Sequence, residues 1–241
     1  MRSKTKIITG LELFVLVVLI GFLFWNKTGN QEITTLSLKK EKETGELPLS
    51  YHIDNVPYYG EVIGMEEGFC YGYSAMMILE YYGFDKEKVM AFRNFVKNKG
   101  RGGPLDIFIG FKEYGLIDKI RVGYSKDYNQ EYAGFYKSLV DEEKRQIVVF
   151  DSQKQAISKL KRLISSDIPV IVLINYGSNY DVAIGYDQEY IYLNDPHDIG
   201  GPNVKKSWSN FLTEWVVSEE SGRPNTIGFP GDYGMIWLEG E

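Results

Sequence analysis

The chain has 241 residues, of which 44% are hydrophobic and 15% aromatic, so it can bury a domain-sized core and is not a disordered protein. Its net charge of −6 argues against a nucleic-acid partner, because phosphates are neutralised by basic side chains. One cysteine excludes an internal disulfide and a paired-thiolate zinc site, and with only two histidines we expect neither a metal nor a cofactor.

The N-terminus carries a membrane signal. Ile7–Trp25 is mostly apolar, and at 1.5 Å per residue it nearly spans a hydrocarbon core of ~30 Å. Basic residues precede it, which predicts a cytoplasmic amino end and a domain outside the cell membrane. A cleaved signal peptide is the alternative, but no small-residue cleavage site follows Trp25. The pattern favours an uncleaved single-pass signal anchor within residues 1–28.

The next segment, residues 29–47, mixes lysine and glutamate with small polar residues. Such a composition predicts a solvated tether. Residues 48–241 contain no internal repeat and no second linker, so we expect them to form one domain.

Helical patterns dominate the first half of that domain. Apolar spacing and terminal glycines predict helices at Tyr71–Tyr82, Lys86–Lys97, Leu105–Tyr114 and Glu131–Glu142. Ser152 followed by Gln155 has the spacing of a capping box and predicts the start of another helix.

Strand patterns dominate the second half. Val170–Ile174 is an unbroken β-branched and leucine run, typical of a central strand. Tyr180–Gly185 and Glu189–Asn194 are predicted to form a hairpin, and Met235–Leu238 a closing strand. Helices followed by an antiparallel sheet indicate an α+β fold.

Cys70 is the only cysteine, and it stands at the predicted start of a helix. The positive end of a helix dipole favours a thiolate, which would suit a nucleophile. Free cysteine is also among the most buried residue types, so an inert core thiol is the alternative.

Several motifs together resemble a known family. They are Val56–Tyr59, Cys70–Ala75, Tyr81–Gly83, Ile168–Ile174, Gly185–Asp187 and Tyr192–Pro196. In order and spacing they resemble papain-like cysteine peptidases, in particular the bacteriocin-leader-processing type and its single-domain relatives, the peptidase C-39-like domains. The resemblance implies a helical half that bears the cysteine and a C-terminal antiparallel sheet.

The resemblance also implies site residues. Cys70 occupies the position of the nucleophile and Asp195 that of the acid that orients the base. Asn179 stands at the position where the resemblance expects the catalytic histidine, and Glu61 stands where it expects the oxyanion glutamine. Alignment cannot repair either departure, because residues 53–196 contain no histidine and residues 51–69 no glutamine. His197 is the one histidine near enough in sequence to serve as a substitute base.

Strand geometry adds one more polar residue to this group. Asp181 lies two residues after Asn179, so both side chains should face the same side of the strand. If that side faces the active-site cleft that the resemblance implies, Glu61, Asp181 and Asp195 would gather around Cys70. Such a cluster could attract a cation, or could simply be solvated.

Two functions follow from these observations. The first is a degenerate cysteine peptidase. Such a pseudoenzyme would bind peptides or a protein partner in the cleft where an active relative binds its substrate. The second is an active enzyme, either a thiol peptidase (a hydrolase) or an acyl-transfer enzyme, in which Cys70 works with a rearranged base such as His197.

Overall fold

The computed structural model describes residues 38–42, 45–61, 68–99, 104–125, 146–175, 178–197, 200–216 and 232–240. They belong to one compact unit. The predicted anchor Ile7–Trp25, most of the predicted tether and the predicted helix Glu131–Glu142 lie outside these ranges. Within the described ranges, no helix has both the length and the apolar character needed to cross a bilayer.

The described residues form helices and strands in mixed order. The helices are α1 (Cys70–Tyr81), α2 (Lys86–Lys99), α3 (Pro104–Glu113), α4 (Gln153–Ile164) and α5 (Trp208–Glu214). The strands are β1 (Tyr51–His52), β2 (Ile120–Ser125), β3 (Ile147–Phe150), β4 (Val170–Ile174), β5 (Asn179–Tyr186), β6 (Tyr190–Asp195), β7 (Gly201–Ser207) and β8 (Met235–Leu238). The predicted α+β class is confirmed.

Helix α1 is the central helix of the first half. Its first ten residues are all buried, as expected for a helix that is apolar on every side. It ends before Gly83, which adopts a φ of +92° that a side chain would disfavour. The Gly83 N–H donates to the carbonyl of Glu80 and closes the last turn. Helices α2 and α3 pack beside α1 and complete one hydrophobic cluster.

Helix α4 begins where the sequence predicts. The Ser152 hydroxyl accepts a hydrogen bond from the Gln155 amide at 3.3 Å, and the Gln155 side chain accepts one from the Asp151 amide at 2.6 Å. These two bonds satisfy backbone donors at the helix start, the purpose of a capping box. The apolar side of α4 contributes to a second hydrophobic cluster, which also contains Trp215 and Trp237.

One sheet joins these helices. Its strand order is β3-β2-β8-β4-β5-β6-β7, and β1 adds to β5. All pairs are antiparallel except β2 with β3, so the predicted purely antiparallel sheet is wrong at this edge. Parallel neighbours require a long connection, and the 20 residues 126–145 separate these two strands. Strands β2 and β3 lie before α4, so the predicted order of helices first and strands second is also too simple.

The described part of the predicted tether lies against this unit. The Glu41 carboxylate forms ion pairs with Lys159 and Arg162 of α4. The Lys42 amide donates to the Ser166 hydroxyl at 3.0 Å. Residues 38–42, here called the N-terminal strap, are therefore packed against the domain upstream of the predicted boundary at residue 48.

Candidate active site

Cys70 is the first residue of α1, and its sulfur lies beside the start of β5. The backbone amides of Tyr180 and Tyr71 hydrogen-bond to it. One helical turn further on, the Ser74 hydroxyl donates to the Tyr180 carbonyl at 2.7 Å. These contacts connect the cysteine-bearing helix to the strand at the residue directly after Asn179.

The thiol is protonated in this setting. Cys70 is only 7% exposed, and burial raises its pKa from 9.0 to about 12. The two backbone amides lower the pKa, whereas the charges of Glu61 and Asp181 raise it further. Desolvation therefore outweighs the helix-terminus effect that the sequence led us to expect.

Asn179, at the first position of β5, is buried and hydrogen-bonded to two acids. Its side-chain amide donates to Asp181 at 2.8 Å and to Asp195 at 3.2 Å. The two strand residues therefore share a side, as predicted. The contact with Asp195 is the one that the resemblance expects of a histidine, but an amide cannot accept a proton from a thiol at neutral pH.

Asp181 is the most buried acid of this group, with 1% of its surface exposed. Burial is the main cause that raises its pKa well above the usual value, and the neighbouring Asp195 raises it further. Lys206 lowers the pKa, but its ammonium group forms a salt bridge with Glu214. No cation therefore compensates Asp181 alone within the described residues.

Glu61 ties the segment before α1 to the end of β6. Its carboxylate accepts the Phe69 amide at 2.7 Å, and its own amide donates to the Pro196 carbonyl at 2.7 Å. Nearby, the Tyr58 hydroxyl donates to the Asp195 carbonyl at 3.0 Å. The Glu61 carboxylate is thus an acceptor at the entrance of α1, where an oxyanion would need a donor.

His197 belongs to the same region through its backbone. Its amide donates to the Asp195 carboxylate at 2.9 Å, while the residue as a whole is exposed. The charged groups that raise the Cys70 pKa are Glu61 and Asp181, and His197 is not one of them. His52 is also exposed, and its ring hydrogen-bonds to Asn203.

The structure thus brings Cys70, Asn179, Asp181, Asp195 and Glu61 into one region. In the part of the chain that the structure describes, no group of three or more histidine, cysteine or acidic side chains has an arrangement that could hold a metal ion. The idea of a cation held by three carboxylates is therefore not supported there.

Sequence reasoning missed the charged residues on the far side of Asp181. Lys206 and Glu214 lie on β7 and α5, two elements without a clear hydrophobic pattern. It also missed the role of Ser74 in joining α1 to β5. A buried serine inside an otherwise apolar helix was the available signal, since such a hydroxyl needs a partner.

Comparison with solved structures gives several similar chains. A C39-like protein from Bacillus anthracis has a TM-score of 0.49 and 17% identity, covering 80% of this chain and 98% of its own. The peptidase domain of Streptococcus ComA, a bifunctional ABC transporter involved in quorum sensing, has a TM-score of 0.43 and 12% identity. The match covers 78% of this chain and 100% of that domain. A double glycine motif protease from an AMS/PCAT transporter, solved in complex with the leader peptide, has a TM-score of 0.40 and 18% identity. The match covers 79% of this chain and 95% of that one.

Comparison with curated proteins gives no match. Comparison with family models matches residues 53–222, which include α1, the β5–β6 hairpin and every polar residue of the site. This range is more than half of the chain, so the chain belongs to the Peptidase_C39 like family.

Proposed function

We propose that this protein is a degenerate member of its family, one that binds a peptide or a protein segment in the cleft beside Cys70 and does not cleave it. The observation that carries the proposal is the pair of hydrogen bonds made by Asn179. An amide fills the place where the family resemblance expects a base, and it bonds to the acid that would orient that base.

The chemistry of the neighbouring groups supports this proposal. Thiol catalysis requires a thiolate, but burial holds the pKa of Cys70 at about 12. It also requires a donor for the oxyanion, but Glu61 offers a carboxylate that is already bonded to the Phe69 amide. Both needs of the reaction are therefore opposed by the same small group of residues.

A peptide is the proposed ligand because family members act on polypeptides, and one of the similar structures contains a leader peptide. Tyr58 is partly exposed beside Asp195, whose carbonyl its hydroxyl contacts, and it offers a ring to a ligand. The Tyr58 pKa is raised first by burial and then by Asp195, so this hydroxyl remains a hydrogen-bond donor at neutral pH.

The test uses the full chain with a set of fluorescent peptides, including ones that contain two consecutive glycines. We expect saturable binding by fluorescence anisotropy and no cleavage by mass spectrometry. Tyr58→Ala should weaken binding, whereas Met90→Ala, at an exposed position on α2, should not. Cleavage that disappears in Cys70→Ala would overturn the proposal.

The alternative is an active thiol enzyme that uses His197. The specific observation in its favour is the hydrogen bond from the His197 amide to Asp195, which keeps this histidine near the site. If this alternative holds, His197→Ala abolishes the cleavage that Cys70→Ala abolishes. If neither variant changes peptide turnover, the alternative fails.

We also infer that the domain is held at the outer face of the cell membrane by Ile7–Trp25. The apolar length of that segment and the basic residues before it support this location. The check is protease treatment of intact and permeabilised cells. Degradation of the domain only after permeabilisation would contradict the proposed orientation.

A further inference from the structure

We propose that Asp181 is protonated at neutral pH and donates this proton to Asp195, and that the resulting hydrogen bond holds β5 to β6 beside Cys70 in a pH-sensitive way. The proposal concerns the folded state alone and does not depend on whether the protein cleaves or binds a peptide. It rests on the pairing of the two strands, on burial and on the hydrogen bonds of three side chains.

The register of the hairpin brings the two carboxyl groups together. Val182 pairs with Asn194 across the antiparallel ladder, and continuing this register by one residue places Asp181 opposite Asp195. Side chains of directly opposite residues are close neighbours on one face of a sheet. One amide group, that of Asn179, donates to an oxygen of each carboxyl group, and the Asp195 carboxyl is close enough to raise the pKa of Asp181; we infer a direct contact between the two. Because carboxylates only accept hydrogen bonds, this contact requires a proton on one of them.

The position of Asn179 agrees with a proton located between the acids. Its NH₂ group donates to an oxygen of each carboxyl group, and its own oxygen is buried without a hydrogen-bond partner among the described residues. Asn179 therefore stabilises one oxygen of each carboxyl group. It donates no proton between the two acids, so a direct hydrogen bond between them needs a proton of their own.

The charged groups around Asp181 do not replace that proton. Lys206 of β7 attracts a carboxylate, but it is paired with Glu214 of α5, which repels one. From the α1 side come the neutral Cys70 thiol and, before it, the hydroxyl of Tyr58 and the carboxylate of Glu61. The backbone amide of His197 bonds to Asp195. Within the described residues, Lys206 is the only cation that lowers the Asp181 pKa, so two charged carboxylates here would repel each other with little compensation.

The direction of the pH effect follows from the location of the proton. The folded state retains a proton that the unfolded chain releases near the ordinary pKa of aspartic acid, about 3.9. Stability from this hydrogen bond is therefore complete at acidic pH and is lost as the pH rises through the raised pKa of Asp181 in the folded state. Across that window, one bound proton changes the unfolding equilibrium constant tenfold per pH unit.

The experiment measures unfolding of the full chain, in mild detergent, by urea at a series of pH values. Asp181→Asn removes the titration and lets the new amide donate to Asp195. We expect the ratio of the wild-type to the Asp181→Asn unfolding constant to rise up to tenfold per pH unit as the pH increases. The matched control is Glu189→Gln, an exposed carboxylate in the turn of the same hairpin, which should keep the wild-type pH dependence.

A second measurement tests the proton directly in the wild-type protein, in case a variant does not fold. A protonated carboxyl group absorbs in the infrared at a higher frequency than a carboxylate. We expect this absorption at neutral pH and its loss at alkaline pH. Absence of the band at neutral pH, or a constant ratio between wild type and Asp181→Asn at all pH values, would overturn the proposal.

Discussion

The chemical state of Cys70 gives the sharpest prediction, because every thiol signal from this protein comes from one residue. Burial raises its pKa from 9.0 to about 12, three pH units, which lowers the thiolate population at neutral pH about a thousandfold. A more basic thiolate is also a better nucleophile, with a Brønsted coefficient of about 0.4–0.5, which returns a factor of about 15–30. The net expectation is a reaction with an aromatic disulfide reagent about 30- to 60-fold slower than that of free cysteine.

The assay compares the folded protein with the same protein in denaturant, where Cys70 is exposed and serves as its own reference. The folded rate should still rise tenfold per pH unit at pH values where the unfolded rate has become constant. Steric burial can only slow the folded protein further. A folded Cys70 that reacts as fast as the unfolded one at neutral pH would refute the argument that desolvation dominates this site.

Two further variants test the surroundings of Cys70. Asn179→His places an imidazole beside Asp195, and we expect the thiol to react at least tenfold faster at neutral pH because an imidazolium stabilises the thiolate; an unchanged rate would mean that this position does not communicate with the sulfur. Ser74→Ala removes the bond to the Tyr180 carbonyl, and urea unfolding should show a loss of about 1–3 kcal/mol; an unchanged midpoint would show that this bond does not contribute to stability.

The sequence was most informative where hydrophobic pattern and turn residues agree. Val170–Ile174 and Met235–Leu238 were predicted with the bounds that the structure has, since a short unbroken apolar run that follows a proline or a glycine is typical of a buried strand. The strand Gly201–Ser207 was missed because it lies at the sheet edge, where none of its residues is buried and Val204 is its only aliphatic side chain, so no apolar alternation is left in the sequence.

For the candidate site, too, some features could be predicted from the sequence and others could not. Its position could be predicted from the sequence, because Cys70 begins a helix and Asn179 begins a strand. The protonation of Asp181 could not, since it depends on the register with Asp195 and on burial from several elements. Likewise, the sequence pattern alone could not show that desolvation would exceed the helix dipole at Cys70.

The N-terminal strap determines how the domain would respond to mechanical tension. A pull on the chain from its N-terminal side first meets Leu38, which packs against the hydrophobic cluster of α1, and Lys39, whose carbonyl accepts the Gly240 amide at 2.8 Å. It then meets Glu41 and Lys42, which bond to α4 and to Ser166. The segment that leads into the cleft comes later, from Tyr58 onward. Such a pull would therefore load the packing of Leu38, the bond to Gly240 and the bonds to α4 and Ser166 before it loads the segment that leads to Cys70.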